Sequence, residues 1–170
     1  MATRLLMNPT RRLLDLLRAR HDEPSNGNSR TWVYAEEVRV APGWRDYARD
    51  ADVADAIKLG AEQRIDAFAL HTWPSEKWRR VAYEVKTSTT DLRRELAQPH
   101  KCEAALALSN EFYLVAGPDV KVPATLPDGW GVMIVERGRL ITTRKASWRD
   151  TELPPYSFML SLARNLQAAR

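Results

Sequence analysis

The chain has 170 residues, of which 44% are hydrophobic and 28% are charged, a balance typical of a globular domain. Its single cysteine, Cys102, excludes an internal disulfide, and its three histidines form no metal-binding pattern in the sequence. The formal net charge of +4 permits a polyanionic partner, but on charge alone a solvated basic surface explains it better.

The N-terminal region predicts an amphipathic helix over residues 10–20, capped by Thr10, because leucines recur there at helical spacing. Arginines interrupt the apolar run, so it does not read as a signal peptide. No apolar run is long enough to cross a bilayer. We therefore expect a cytoplasmic protein without a membrane partner.

Five stretches rich in β-branched and aromatic residues predict strands: residues 31–40, 64–70, 79–86, 111–117 and 130–136. Gly138 fits a tight turn from the last of these into residues 139–145. Helices are predicted at residues 50–60, from residue 89 onward and at residues 157–169. Ser88 caps the middle helix, and Pro99 is expected to kink or interrupt it.

This order predicts one α/β domain over residues 1–170, with a mixed sheet of about five strands flanked by helices. Three strands should form an antiparallel meander, and a helical crossover should then lead to a parallel neighbour.

A pair of charged residues lies within the apolar stretch "VAYEVKTSTTDLRREL". Since alternate residues of a strand point to opposite faces, Glu84 and Lys86 share one face, while Tyr83 and Val85 share the other. The preceding strand carries Asp66 within "RIDAFAL". If the two strands form a hairpin, the two carboxylates lie close together across the ladder.

Two neighbouring carboxylates suit Mg²⁺, which takes few ligands from the protein and leaves room for water and substrate phosphate. A lysine beside that ion can orient the attacking water and offset charge on the phosphate. The pattern of Asp66 followed by Glu84 and Lys86 therefore fits metal-assisted hydrolysis of a phosphodiester. A surface ion pair on an exposed sheet face is the competing interpretation, because Glu-x-Lys alone is a common pattern.

These residues resemble the signature of the PD-(D/E)XK nucleases, whose core is a mixed sheet flanked by helices (the restriction-endonuclease-like fold). The runs "AEEVR", "IDAFALHTWPS", "YEVKTSTTDLRREL" and "LPDGWGVM" resemble short phage and actinobacterial members, over residues 32–135 with a gap. The helix at residues 50–60 resembles an insertion and contains a decoy acid, Asp55. The Trp73-Pro74-Ser75 turn fixes the register on Asp66 instead. Ile65 stands where the family signature has proline.

The resemblance implies a DNA nuclease that uses Mg²⁺ or Mn²⁺ and leaves a 5′-phosphate, with a structure-specific or DNA-repair role. Asp66 and Glu84 would hold the metal and Lys86 would serve the water. Many members add a further acid. Glu37 is our choice, while Glu36, which faces the other way in a strand, and Asp15 stay open. The residues expected to contact nucleic acid follow the signature or lie on the crossover helix: Ser88, Thr90, Arg94 and Lys101.

Two other classes of function remain open at this point. A nucleic-acid-binding module could keep the same sheet without catalysis, because a fold does not determine a function. A phage accessory protein that binds a partner could carry the motif by accident. A homodimer is also open, since it would allow a small nuclease to cut both strands.

Overall fold

The computed structural model describes residues 8–22, 31–40 and 63–168, which form a six-stranded mixed sheet flanked by helices. The helices are α1 (Pro9–His21), α2 (Thr89–Leu96), α3 (Glu103–Leu108) and α4 (Tyr156–Ala168). The strands are β1 (Trp32–Arg39), β2 (Arg64–His71), β3 (Arg80–Lys86), β4 (Glu111–Ala116), β5 (Gly131–Glu136) and β6 (Arg139–Arg144). Short 3₁₀ turns lie at Pro74–Glu76 and Pro99–Cys102.

The strands lie side by side in chain order from β1 to β6. The first three are antiparallel, β3, β4 and β5 are parallel, and β6 returns antiparallel to β5. The predicted α/β class, mixed sheet, meander and helical crossover are therefore confirmed. The sheet has six strands rather than about five, because the segment after the Gly138 turn pairs with β5 along its length.

Two apolar cores lie on opposite faces of the sheet. On one face, α1 packs its leucines against Ala67, Tyr83 and Val115. On the other face, Leu92 of α2, together with residues of α3 and α4, packs against a second set that includes Phe68. Alternating side chains of each central strand thus meet different helices, so both faces of the sheet are covered.

The predicted N-cap of α1 is wrong by two residues. Asn8, not Thr10, caps the helix, since its Oδ1 accepts a hydrogen bond from the Thr10 amide at 2.9 Å. Pro9 occupies the first helical position, where its fixed φ fits and a missing N–H costs nothing. Ser88 caps α2 as predicted, accepting from the amides of Thr90 and Asp91.

Proline and glycine act at the other element ends as predicted. The crossover helix ends before Pro99 and restarts as α3. Arg137 and Gly138, with φ of 49° and 80°, form the two-residue turn between β5 and β6. The predicted helix at residues 50–60 lies outside the described residues. Within the described ranges, no helix is both long enough and apolar enough to span a bilayer.

Candidate active site

Asp66 lies where β2 and β3 separate. The last paired residues of this antiparallel ladder are Ala67 and Tyr83. Beyond that point, the Asp66 Oδ2 accepts a hydrogen bond from the Val85 amide at 2.8 Å. A carboxylate thus takes the place of a backbone carbonyl, which fixes the Asp66 side chain beside the end of β3.

Glu84 and Lys86 project from β3 on the same face as Ala82, as the alternation predicted. The Lys86 Nζ donates to Glu84 Oε1 at 2.5 Å. The Glu84 side chain is only 16% exposed, and the Lys86 side chain only 12%. They are therefore not the exposed surface ion pair of the competing interpretation, and their partners must satisfy them within the fold.

Burial is the main influence on the charges of this cluster. It raises the pKa of Glu84 to about 7, and the neighbouring charge of Asp66 adds to the rise while Lys86 opposes it. Burial also raises the pKa of Asp66, against the Val85 amide and Lys86. Because two buried carboxylates resist joint ionisation, the pair favours a proton or a cation between them near neutral pH.

For Lys86, the neighbouring carboxylates outweigh the effect of burial and favour the charged form. Burial alone would lower the pKa of the ammonium, but the carboxylates of Glu84 and Glu95 together raise it. Lys86 therefore stays protonated at neutral pH. In this state it can donate hydrogen bonds and offset negative charge, but it cannot remove a proton from water.

Glu95, on α2, is a member of the cluster that the sequence did not single out. Its Oε2 lies 3.2 Å from Lys86 Nζ, its Oε1 accepts from the Cys102 thiol at 3.4 Å, and its side chain is 13% exposed. Its position on α2 could have been predicted from helical spacing. Glu95 follows the buried Leu92 by three residues, so both belong to the inner face of α2.

Of the three candidates for a further acid, only Glu37 acts on Asp66, whose pKa its negative charge raises. Glu37 has a φ of 51°, is 53% exposed and lies 3.6 Å from Arg64. Glu36 points to the α1 side, where Arg11 and Arg18 bind it. Asp15, the third candidate, is exposed on α1 and forms an ion pair with Arg11 of the same helix.

The predicted nucleic-acid contacts do not converge on the carboxylates. Ser88 uses its Oγ for the helix cap, and Thr90 is exposed in the first turn. Arg94 is exposed and lies 3.4 Å from Asp91. Lys101 is exposed in the 3₁₀ turn, and it is the following cysteine that reaches Glu95.

The two carboxylates offer free oxygens to a small hard cation, but they are few for a metal site. Hydrogen bonds within the described residues leave one oxygen of each carboxylate, Asp66 Oδ1 and Glu84 Oε2, without a partner. No group of three or more His, Cys, Asp or Glu side chains in the described ranges is arranged to hold a metal ion. Two carboxylates fit Mg²⁺, because water and substrate phosphate commonly complete its shell.

Comparison with known proteins bears on the fold alone. A solved protein of unknown function from Silicibacter pomeroyi superimposes on this chain with a TM-score of 0.58 and 21% identity. The match covers 98% of this chain and 94% of that protein. No family model matches the chain, and no curated protein matches it in sequence.

Proposed function

We propose that the chain is a Mg²⁺- or Mn²⁺-dependent DNA nuclease of the PD-(D/E)XK type that hydrolyses phosphodiester bonds in the cytoplasm. The observation that supports this most is the meeting of Asp66, Glu84 and Lys86 at the point where β2 and β3 separate. Their spacing in sequence made the proposal possible. Their burial supports it, because a buried cluster of titratable side chains with shifted pKa values is typical of functional sites.

In this proposal, Asp66 and Glu84 hold the metal through their free oxygens, and Glu37 contributes negative charge from the rim. When bound, the ion supplies positive charge that polarises a phosphoryl oxygen. Asp66 is held in place by the Val85 amide, so little reorganisation of that carboxylate is needed.

Lys86 serves the reaction as a fixed ammonium. It donates a hydrogen bond to the attacking water or to a phosphate oxygen, and it offsets the charge that develops there. The water oxygen bonds to phosphorus as the bond from phosphorus to O3′ breaks. The attacking water releases a proton to solvent and the leaving O3′ takes one up, so one product carries a 5′-phosphate and the other a 3′-hydroxyl.

DNA is the expected polyanion because of the resemblance to the PD-(D/E)XK nucleases, and the net charge of +4 is compatible with such a partner. Our preference is a structure-specific or repair substrate. The exposed cations Arg94 and Lys101, with Ser88 and Thr90 at the start of α2, are the proposed backbone contacts beyond the site.

The test is cleavage of plasmid, single-stranded, flap and junction DNA with Mg²⁺ or Mn²⁺. Lys86→Ala and Glu84→Ala are expected to reduce the rate at least about a hundredfold. Lys145→Ala, which removes an exposed lysine after β6, is the matched control and should cleave like the wild type. The proposal would be refuted if Glu84→Ala still cleaved DNA, or if the wild type cleaved none of these substrates. DNA binding without cleavage, retained in Asp66→Ala, would indicate a binding module instead.

A further inference from the structure

Lys86 lies between two carboxylates from different elements of the fold. Its Nζ is 2.5 Å from Oε1 of Glu84 on its own strand and 3.2 Å from Oε2 of Glu95 on α2. All three side chains are mostly buried. A single carboxylate would neutralise the ammonium, so the second one needs its own explanation.

Glu95 is held rigidly on both sides. Its second oxygen, Oε1, accepts from the Cys102 thiol, which stays protonated because burial raises its pKa. The helix that carries Glu95 is capped by Ser88 and anchored by the buried Leu92. The carboxylate is therefore oriented by its surroundings and does not depend on Lys86 alone for its position.

Glu84 has two uses in the proposed function, one for each of its carboxylate oxygens. Its Oε1 accepts from Lys86, and in the proposed function its Oε2 also binds a cation. Attraction to a cation would weaken its hold on Lys86, and a mostly buried ammonium without an anionic partner is strongly unfavourable. Asp66 is engaged with the Val85 amide through Oδ2 and, in the proposed function, with the metal ion through Oδ1, so Glu95 is the remaining anion among the described neighbours of Lys86.

We propose that Glu95 is a positioning residue that holds the Lys86 ammonium beside the carboxylate pair once Glu84 engages a metal ion. This inference rests on the proposed function, because it concerns the same lysine. Glu95 takes no part in binding the metal. It acts through Lys86, holding the ammonium at the place where the phosphate is attacked.

The kinetic test compares Glu95→Gln with the matched control Glu103→Gln, an exposed glutamate at the start of α3. Glu95→Gln should lower kcat about tenfold to a hundredfold, as expected when a catalytic group loses its orientation. Its Mn²⁺ affinity should stay within about threefold of the wild type. In a Lys86→Ala background, Glu95→Gln should have no additional effect, since its role runs through the lysine.

Three results would overturn the inference. Glu95→Gln could leave kcat unchanged, or it could lower kcat by the same factor with and without Lys86, which would indicate an independent role. A tenfold or greater loss of Mn²⁺ affinity would make Glu95 a metal ligand rather than a positioning residue.

An NMR measurement separates this inference from the proposed function. The ammonium signal of Lys86 should remain sharp in wild-type protein saturated with Mg²⁺, and it should broaden or disappear in Glu95→Gln. If the wild type cleaves nothing but this difference is seen, the positioning role stands while the nuclease proposal fails. If the signal does not respond to Glu95→Gln, the positioning role fails whether or not DNA is cleaved.

Discussion

Replacing Glu84 by Gln is expected to stabilise the metal-free protein at pH 8 while abolishing metal binding. Gln has nearly the shape of a protonated glutamate but cannot ionise. In the wild type, burial and the nearby charge of Asp66 make ionisation of Glu84 unfavourable in the folded state. The variant removes that cost, as often happens when a charged functional group is taken out of a buried site.

The magnitude follows from the pKa of Glu84, which rises from 4.5 to about 7 on folding. Between these values the folded state holds a proton that the unfolded state has released. The stabilisation from that proton is complete below pH 4.5 and is lost as the pH rises through 7. At about 1.36 kcal/mol for each pH unit between the two pKa values, the loss at pH 8 is roughly 3 kcal/mol.

Urea denaturation with EDTA at pH 5 and pH 8 measures this effect. Glu84→Gln should exceed the wild type in free energy of unfolding by roughly 3 kcal/mol at pH 8 and by less than about 1 kcal/mol at pH 5. Glu136→Gln, which alters an exposed glutamate on β5, should change neither value appreciably. A Glu84→Gln variant that is less stable than the wild type at pH 8 would refute the electrostatic reasoning.

Three further changes probe the rest of the fold. Burial lowers the pKa of His21 from 6.5 to about 4, so the stability it supports above pH 6.5 is lost as the pH falls through 4. The stability advantage of the wild type over His21→Gln should shrink by about 3 kcal/mol between pH 7 and pH 4 in urea titrations; a constant difference would contradict this. Glu36→Gln should lower the free energy of unfolding by about 2 kcal/mol through lost bonds to Arg11 and Arg18. Its Mn²⁺ affinity should be unchanged in calorimetry, and a loss would bring Glu36 into the site. Gly131→Ala should destabilise the protein by about 2 kcal/mol, because a Cβ there would collide with the Tyr113 ring. An unchanged Tm would refute this expectation.

The local patterns of β3 and α2 predicted much of the candidate site. Alternation along the strand placed Glu84 and Lys86 on one face, and the Ser88 cap set the start of the crossover helix. Both patterns depend only on residues close in sequence, so they can be recognised without knowledge of the tertiary fold. The same holds for the turn at Gly138, where the backbone needs a positive φ.

The further acid could not be predicted in the same way. Alternation says that Glu36 and Glu37 face opposite sides, but not which side carries the helix α1. The docked helix supplies Arg11 and Arg18, which bind Glu36 and remove it from the site. Glu95 was missed for a related reason, since its role depends on the distance between α2 and β3.

Neighbouring residues of β3 connect two buried titratable clusters with opposite responses to pH. The hydroxyl of Tyr83 lies 2.8 Å from His21 Nε2 beneath α1, and the next residue, Glu84, meets Asp66 and Lys86 on the other face. Between pH 4.5 and 6.5, acidification weakens the fold through His21 and strengthens it through Glu84, because one group resists a proton and the other favours it. The two effects are similar in size, so a nearly flat stability profile of the wild type in this range would conceal both. Only variants that remove one group at a time reveal the electrostatic cost of burying Glu84 beside Asp66.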